Sequence, residues 1–441
     1  MDSNKTRLRL LVGLAILITG CSLNDLVDVG PPPDGAVDPR VVESLTGALG
    51  LYNSALGAAA LATSRYAFTF GLYTDELRAG PNLTSGGVQS MVIADARADS
   101  GSIDGDRLFS MRAKSEYARG ALRRFPEAPV AKIGELYALQ GMAEVMLAEG
   151  FCSGVPLTRV PYGENFQYTP GFTTTEVLRH AMTLLDTAAL EGKDSLAIVT
   201  LAHVGRGRIY LNLGMYDSAA AAVALVPTTA TYLTYATTGG AWNSAVGTER
   251  DVDRTHLINA EGGTGLSWVA SSPAVQDPRV RVTTVIQNGV VQFTSPVRQA
   301  KYQQTSSATP QRLADGIEAR LIEAENELQP AADPHGPWLQ TLNALRATIG
   351  LPDTTDPGTE NGRVDLLFRE RAFWLYLTGH RQGDMRRLVR QYHRPVETVY
   401  PSGAYSLPTF YVVYQDLATS RLGVQEEQIN SLYHGCFDRA P

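Results

Sequence analysis

RVDLLFRERAFWLYLTGHRQGDMRRLVR, residues 363–390, is the stretch on which the reading of this chain turns. Ten of its 28 residues are charged, and ten apolar residues fall between positions 364 and 377. Those apolar residues lie on almost every side of a 3.6-residue period, with charge confined to the front half. The pattern predicts a helix buried on most of its circumference. Asp365 stands four residues before Arg369, the favourable order for an ion pair along a helix. Gly379 suits a left-handed helix C-terminus, and Asp384 suits the cap of a second helix over 385–390. Charges buried in such a hairpin pair with one another, so the segment reads as an internal brace. Asp365, Arg369, Glu370, Arg371, His380, Arg381 and Asp384 are its expected members.

At the front of the chain, Lys5, Arg7 and Arg9 precede an apolar run over 10–18 that ends in Ile18-Thr19-Gly20-Cys21. A positive start and an apolar run short of the ~20 residues a membrane helix needs make residues 1–20 a secretory signal. Cysteine directly after the small residues resembles the bacterial lipobox, in which the thiol is diacylated, so Cys21 is the expected lipidation site. Ser22, where some such signals have Asp, goes with passage to the outer membrane. Residues 21–38 are rich in proline, glycine and acid and read as the lipidated tether. No other stretch reads as long and apolar enough to cross a membrane, so lipid is the only membrane contact expected. The other two cysteines, Cys152 and Cys436, form an even pair in an oxidising compartment and are expected to join as a disulfide.

With 441 residues, 44% hydrophobic, 19% charged and a net charge of -7, the composition is that of a globular protein. Its mild acidity argues against nucleic acid as partner, since phosphate binding needs a basic face.

Between tether and brace the chain alternates. A first helix is expected from about 39 to 62, followed by an aromatic-rich exit over 66–76 and a glycine-, proline- and serine-punctuated loop. Helix pairs follow at 106–125 with 129–149 and at 175–190 with 195–213. Leu211, Gly214, Tyr216 and Ala219 then reproduce the spacing of a tetratricopeptide inter-helix turn. From 228 to 310 threonine, glycine, serine and valine dominate, and Asn288-Gly289 between two β-prone runs predicts a hairpin. Helices resume at 313–328 and 338–349.

Glu370-Arg371, Leu375, Gly379-His380-Arg381 and Asp384-Met385-Arg386-Arg387 resemble the C-terminal signature of the SusD/RagB family of nutrient-binding outer-membrane lipoproteins. Tyr73-Thr74-Asp75-Glu76 is similar to the acidic step after that family's first helix, and residues 276–280, QDPRV, to its D-P-R segment. The resemblance implies a mainly α fold: a tetratricopeptide-like helical-repeat scaffold with a loop- and β-rich insertion at about 228–310, in a single domain over 39–441. It also implies a lipid-anchored, surface-exposed outer-membrane protein without enzymatic activity or cofactor. Such a protein captures an oligosaccharide or other small nutrient for a SusC-like TonB-dependent transporter.

The sequence holds no H-E-x-x-H, no Cys/His zinc set, no G-x-S-x-G elbow and no Walker A loop, so no catalytic or metal-ligating residues are assigned. What remains is binding chemistry. Sugar rings offer apolar C–H faces and hydroxyl edges, which call for exposed aromatic platforms with polar groups at the rim. Tyr73, Trp242 and Trp268 stand in loop-like, polar surroundings and are the candidate platforms. Asp75 and Glu76 are the acidic pair beside an aromatic cluster. Two other readings are a helical-repeat envelope scaffold that binds peptides or proteins, and a surface glycosidase.

Overall fold

The computed structural model describes residues 43–74, 76, 78–79, 100–235, 252–254, 256–257, 266–267, 277–280, 284–293, 301, 310–329, 336–400, 403–404, 411–412 and 430–438. By contacts the chain divides into two compact units, 1–48 and 49–441. In the first, the Ser44 hydroxyl accepts the Gly47 N–H at 3.0 Å, closing the opening turn of helix α1 (Leu45–Tyr73).

The second unit is built from consecutive helices that pack on their neighbours in chain order. These are α2 (Ser100–Leu122), α3 (Val130–Gly150), α4 (Thr174–Glu191), α5 (Leu196–Asn212) and α6 (Tyr216–Val223). After the insertion come α7 (Gly316–Glu327), which packs on α5 and α6, and α8 (Pro337–Ala347), which packs on α7. Helices α9 (Glu360–Trp374) and α10 (Arg381–Arg390) return along the stack, α9 onto α7 and α10 onto α3. Leu139, Met142, Leu185, Leu201 and Ile322 form part of the continuous core between them.

Local chemistry fixes several boundaries. Thr173 and Glu176 form a reciprocal capping box at the start of α4, with the Thr173 N–H donating to the Glu176 carboxylate at 2.8 Å. Asp315 caps α7 by accepting the Glu318 N–H at 2.7 Å, a contact worth about 1 kcal/mol in such positions.

The strands pair two by two. Strand β2 (Val155–Pro156) pairs with β3 (Gly171–Phe172), and β8 (Thr284–Gln287) with β9 (Val290–Phe293) through Asn288-Gly289, whose φ values are 52° and 76°. Strand β4 (Thr231–Thr234) pairs antiparallel with β10 (Gln311–Asp315), so one ladder closes the base of the insertion. Inside it β5 (Val252–Arg254) pairs with β1 (Arg78–Ala79), and β6 (His256–Leu257) with β7 (Leu266–Ser267). Near the C-terminus β11 (Gly403–Ala404) pairs with β12 (Tyr411–Val412).

The structure corrects several expectations. Residues 66–73 do not leave the helix: α1 continues to Tyr73, because Tyr66 and Phe70 sit on its buried side. Its segment Leu45–Gly71, at a mean hydropathy of 1.2, is long and apolar enough to cross a membrane, contrary to the expectation that no stretch beyond the leader is. Ala59, Ala62, Tyr66 and Phe70 are in the protein core, as in a core helix. Residues 313–315 belong to β10 rather than to the following helix. Helix α9 stops at Trp374, three residues early, since Leu377 takes a left-handed φ of 54°. Asp365 pairs with Arg394 at 2.8 Å instead of Arg369. Asp384 does not cap α10; His380 occupies that position, and the aspartate turns inward.

Candidate functional site

Charge is concentrated where α9 and α10 meet the stack, and there it is paired. The Arg371 guanidinium donates twice to Asp384, at 2.9 and 2.8 Å, and Arg387 reaches the same carboxylate at 3.1 Å. Arg387 also donates to Glu325 on α7 at 2.9 Å. His380 Nε2 lies 2.8 Å from Glu318, and Arg208 on α5 is bonded to Glu149 on α3. Glu370 accepts from Arg346 and from Arg279, both at 2.6 Å, so the D-P-R segment is tied to the same hub. All these carboxylates are at most 3% exposed. Burial would push Asp384 up, but Arg371 and Arg387 hold its carboxyl far below the usual range. Among the described residues these buried charges are spent on one another, and the arrangement performs bracing.

Gly379 makes the hub's close approach possible. Its φ is 80°, and a Cβ there would stand 2.7 Å from the Tyr66 ring.

Glu76 belongs to this interior. It is 1% exposed, and one carboxylate oxygen accepts the Leu377 N–H at 3.3 Å. Burial raises its pKa to about 7, against the pull of Arg381, the Leu377 N–H and Lys301, with Asp384 adding to the rise. Folded Glu76 therefore keeps a proton that the unfolded chain releases above its ordinary value of 4.5. Stability is fully present below that value and falls as pH rises through about 7. Glu76→Gln is expected to flatten this part of the stability profile, read as urea midpoints from pH 4.5 to 8. An unchanged slope would place Glu76 in water.

An open aromatic pocket lies elsewhere, between α2 and the chain that leaves α3. Residues 155–172 form a hairpin, held by β2 with β3 and by a reciprocal backbone pair between Arg159 and Gln167, both bonds 3.0 Å. Period-2 alternation turns Pro156, Thr158 and Val160 on one arm and Phe166 and Tyr168 on the other toward α2. The helix answers with Asp106, Phe109 and Ala113, and Asn430 closes one end of a cavity of about 330 Å³.

Arg112 fixes the hairpin to the helix. It donates to the Thr158 carbonyl, to the Leu157 carbonyl at 3.1 Å and to the buried Glu144 at 2.8 Å. Asn430 donates to the Thr169 carbonyl at 2.8 Å. Phe166 is 60% exposed and Tyr168 41%, with their rings edge to face at 6.5 Å. Two exposed rings with an aspartate and an asparagine at the edge suit the C–H faces and hydroxyls of a sugar.

The hairpin is anchored to the tail by the disulfide Cys152–Cys436, with Cα atoms 5.7 Å apart. Beside it the Ser153 N–H donates to the Asp438 carbonyl at 2.9 Å, and the Phe437 N–H to the Ser153 carbonyl at 2.8 Å.

The fold of this chain is found among solved structures. A SusD superfamily protein from Bacteroides vulgatus superposes with a TM-score of 0.61 at 15% identity, over 88% of this chain and 98% of that one. The chain has the SusD-like fold. A SusD-like protein from Bacteroides fragilis matches at 13% identity and a TM-score of 0.63, over 92% of this chain and 100% of its own. A SusD-like carbohydrate binding protein from Bacteroides vulgatus matches at 11% identity and a TM-score of 0.58, over 89% and 97%. No protein-family model matches the sequence, and no curated protein is similar to it.

Within this SusD-like frame the expected ligand residues separate. Tyr73 is the last residue of α1. Asp75, Trp242 and Trp268 lie outside the described residues, as does Cys21. Glu76 faces the interior, so the rim role expected for it does not fit its burial. The pocket residues Phe109, Phe166, Tyr168, Asp106 and Asn430 were not anticipated. A signal for them was present: Val155-Pro156-Leu157 and Phe166-Gln167-Tyr168 flank the turn-forming Pro161-Tyr162-Gly163-Glu164.

Proposed function

We propose that the protein is a lipid-anchored, surface-exposed binding protein of the outer membrane that captures a glycan or similar small nutrient. It then passes the ligand to a SusC-like TonB-dependent transporter. The observation that carries the binding half is the open pocket in which Phe166 and Tyr168 present their rings beside Asp106 and Asn430. The carbohydrate-binding protein from Bacteroides vulgatus that shares the fold supports the ligand class. The anchor and the transporter rest on Cys21 and on the C-terminal motif, and Tyr73, Asp75, Trp242 and Trp268 stand as further candidate contacts. Binding without chemistry is the role in this reading.

Phe166→Ala and Tyr168→Ala each remove an exposed ring without touching the core. Each is expected to weaken glycan binding about tenfold, the equivalent of ~1.4 kcal/mol. Glycan arrays followed by calorimetry on the hits provide the measurement. Wild-type affinity in both variants would remove the pocket from the site. Cys21→Ala is expected to abolish lipid labelling and free the protein from the membrane fraction, and retention would refute the anchor.

A further inference from the structure

Across the hairpin from the aromatic pocket lies a second cleft, of about 460 Å³, with a different chemistry. Its walls are the C-terminal part of α2 and the residues just beyond, Tyr137 on α3, and the loop 159–164. They bring together Arg119, Arg123, Arg124, Arg159, Tyr137 and Tyr162.

The way these arginines are held is informative. Arg119 lies over the Tyr137 ring, 3.9 Å from its centroid, and donates to neutral Gln140 at 2.7 Å. Arg123 packs near the same ring at 5.5 Å, donates to the Tyr137 hydroxyl at 3.2 Å and pairs with Glu191. Arg124 is over Tyr162 at 5.5 Å. Among the described residues neither Arg119 nor Arg124 has a carboxylate within pairing distance. Burial lowers the Arg119 pKa, with Arg123 adding like-charge repulsion against the favourable pull of Tyr137, Glu116 and Glu144.

Two acids share the cleft, and their places are consistent with its net sign. Glu116 accepts from Arg159 at 3.2 Å and from the Val160 N–H at 3.0 Å. Glu164 sits at the loop, accepting from Gln167 at 3.2 Å. A helix C-terminus favours cations, which accounts for arginines near the end of α2. It does not account for two of them being oriented by tyrosine rings while their planar N–H edges lack an anion.

Gly120 shows that the cleft is shaped at its floor. A Cβ there would come within 2.7 Å of the Tyr162 Cβ, so glycine is what lets the Tyr162 ring settle against α2 and under Arg124.

We infer that this cleft binds an anionic substituent, a carboxylate or sulfate, through Arg119 and Arg124, with Arg123 and Arg159 at its sides. On the reading proposed above, the ligand class is an acidic saccharide. That the ligand is a sugar rests on that reading, whereas the preference for an anion stands on the cleft alone. Guanidinium groups recognise such oxyanions through paired N–H donors, and the tyrosines keep those donors pre-oriented.

Calorimetry on the mature chain at low ionic strength tests this with three probes: tri-galacturonate, its fully methyl-esterified form and inorganic sulfate. The acid and the ester share their rings and differ in charge. The acid is expected to bind at least tenfold more tightly than the ester and to lose affinity as salt rises. Arg119→Gln and Arg124→Gln are each expected to erase most of that difference while leaving the ester unchanged. Arg124 is exposed, so its variant keeps the test meaningful if Arg119→Gln folds poorly.

Equal binding of acid and ester, or wild-type affinity for the acid in Arg124→Gln, overturns the inference while leaving glycan capture standing. Arginine-dependent binding of sulfate with no binding of either saccharide keeps the anion site and counts against the sugar. No binding of any anion overturns the site.

Discussion

Asp384→Ala is expected to lower the free energy of unfolding by about 3–5 kcal/mol, the usual cost of deleting one partner of a buried ion cluster. The aspartate is 2% exposed and accepts two bonds from Arg371 and one contact from Arg387. Its loss takes a partner from two guanidinium groups that are themselves at most 3% exposed. Glu325 keeps Arg387 paired, but it reaches Arg371 only at 3.7 Å, so Arg371 bears most of the deficit. Urea unfolding gives the measurement, with Asp365→Ala as control. Asp365 and Arg394 are each 19% exposed, and such a pair contributes about 1 kcal/mol or less. Equal losses in the two variants would contradict the hub.

The same residue makes an acid limb. Because its folded pKa is depressed, the stability that Asp384 contributes is present above about pH 4 and is lost as pH falls further. Asp384→Asn is expected to lack that limb.

Removing the Cys152–Cys436 disulfide is the other change with a large expected effect. The two residues are 284 positions apart, and the chain-entropy estimate for a loop this long is about 5.6 kcal/mol. Native disulfides deliver about 2–5 kcal/mol when measured by deletion. The urea midpoint is therefore expected to fall clearly on reduction, and the double variant Cys152→Ser with Cys436→Ser is expected to reproduce the reduced protein. Binding at the aromatic pocket is expected to weaken as well. The tail that supplies Asn430 and the hairpin that supplies Phe166 and Tyr168 are joined at this bond and at the Ser153–Asp438 bridge. Coincident unfolding of oxidised and reduced protein would refute both statements.

How much of this was legible depended on range. Helices α3, α4 and α5 fall within a residue or two of the expected 129–149, 175–190 and 195–213, because helix periodicity is a local signal. The brace was legible as a hub of paired charge, since so many buried guanidinium and carboxylate groups must meet. Its partners were not: Glu325, Glu318 and Glu149 lie on other helices, and a sequence does not say which turns meet in space. The Asp384 cap failed for the same reason, with tertiary partners outbidding the local N–H groups. The extension of α1 was hidden because Tyr66, Phe68 and Phe70 look like strand or loop residues until the core that receives them is known. The pocket went unread because its two halves, α2 and the hairpin, are brought together by tertiary contacts such as those of Arg112 and Glu116.

The ladder between β4 and β10 has a consequence for how changes in chain length are absorbed. It brings the two ends of the 235–310 segment within one strand spacing, about 5 Å, directly against the capped start of α7. Whatever length of chain is spliced between those ends, the helices on either side keep their register. The insertion thus leaves the scaffold at a position where a change in its length does not propagate into the helices on either side.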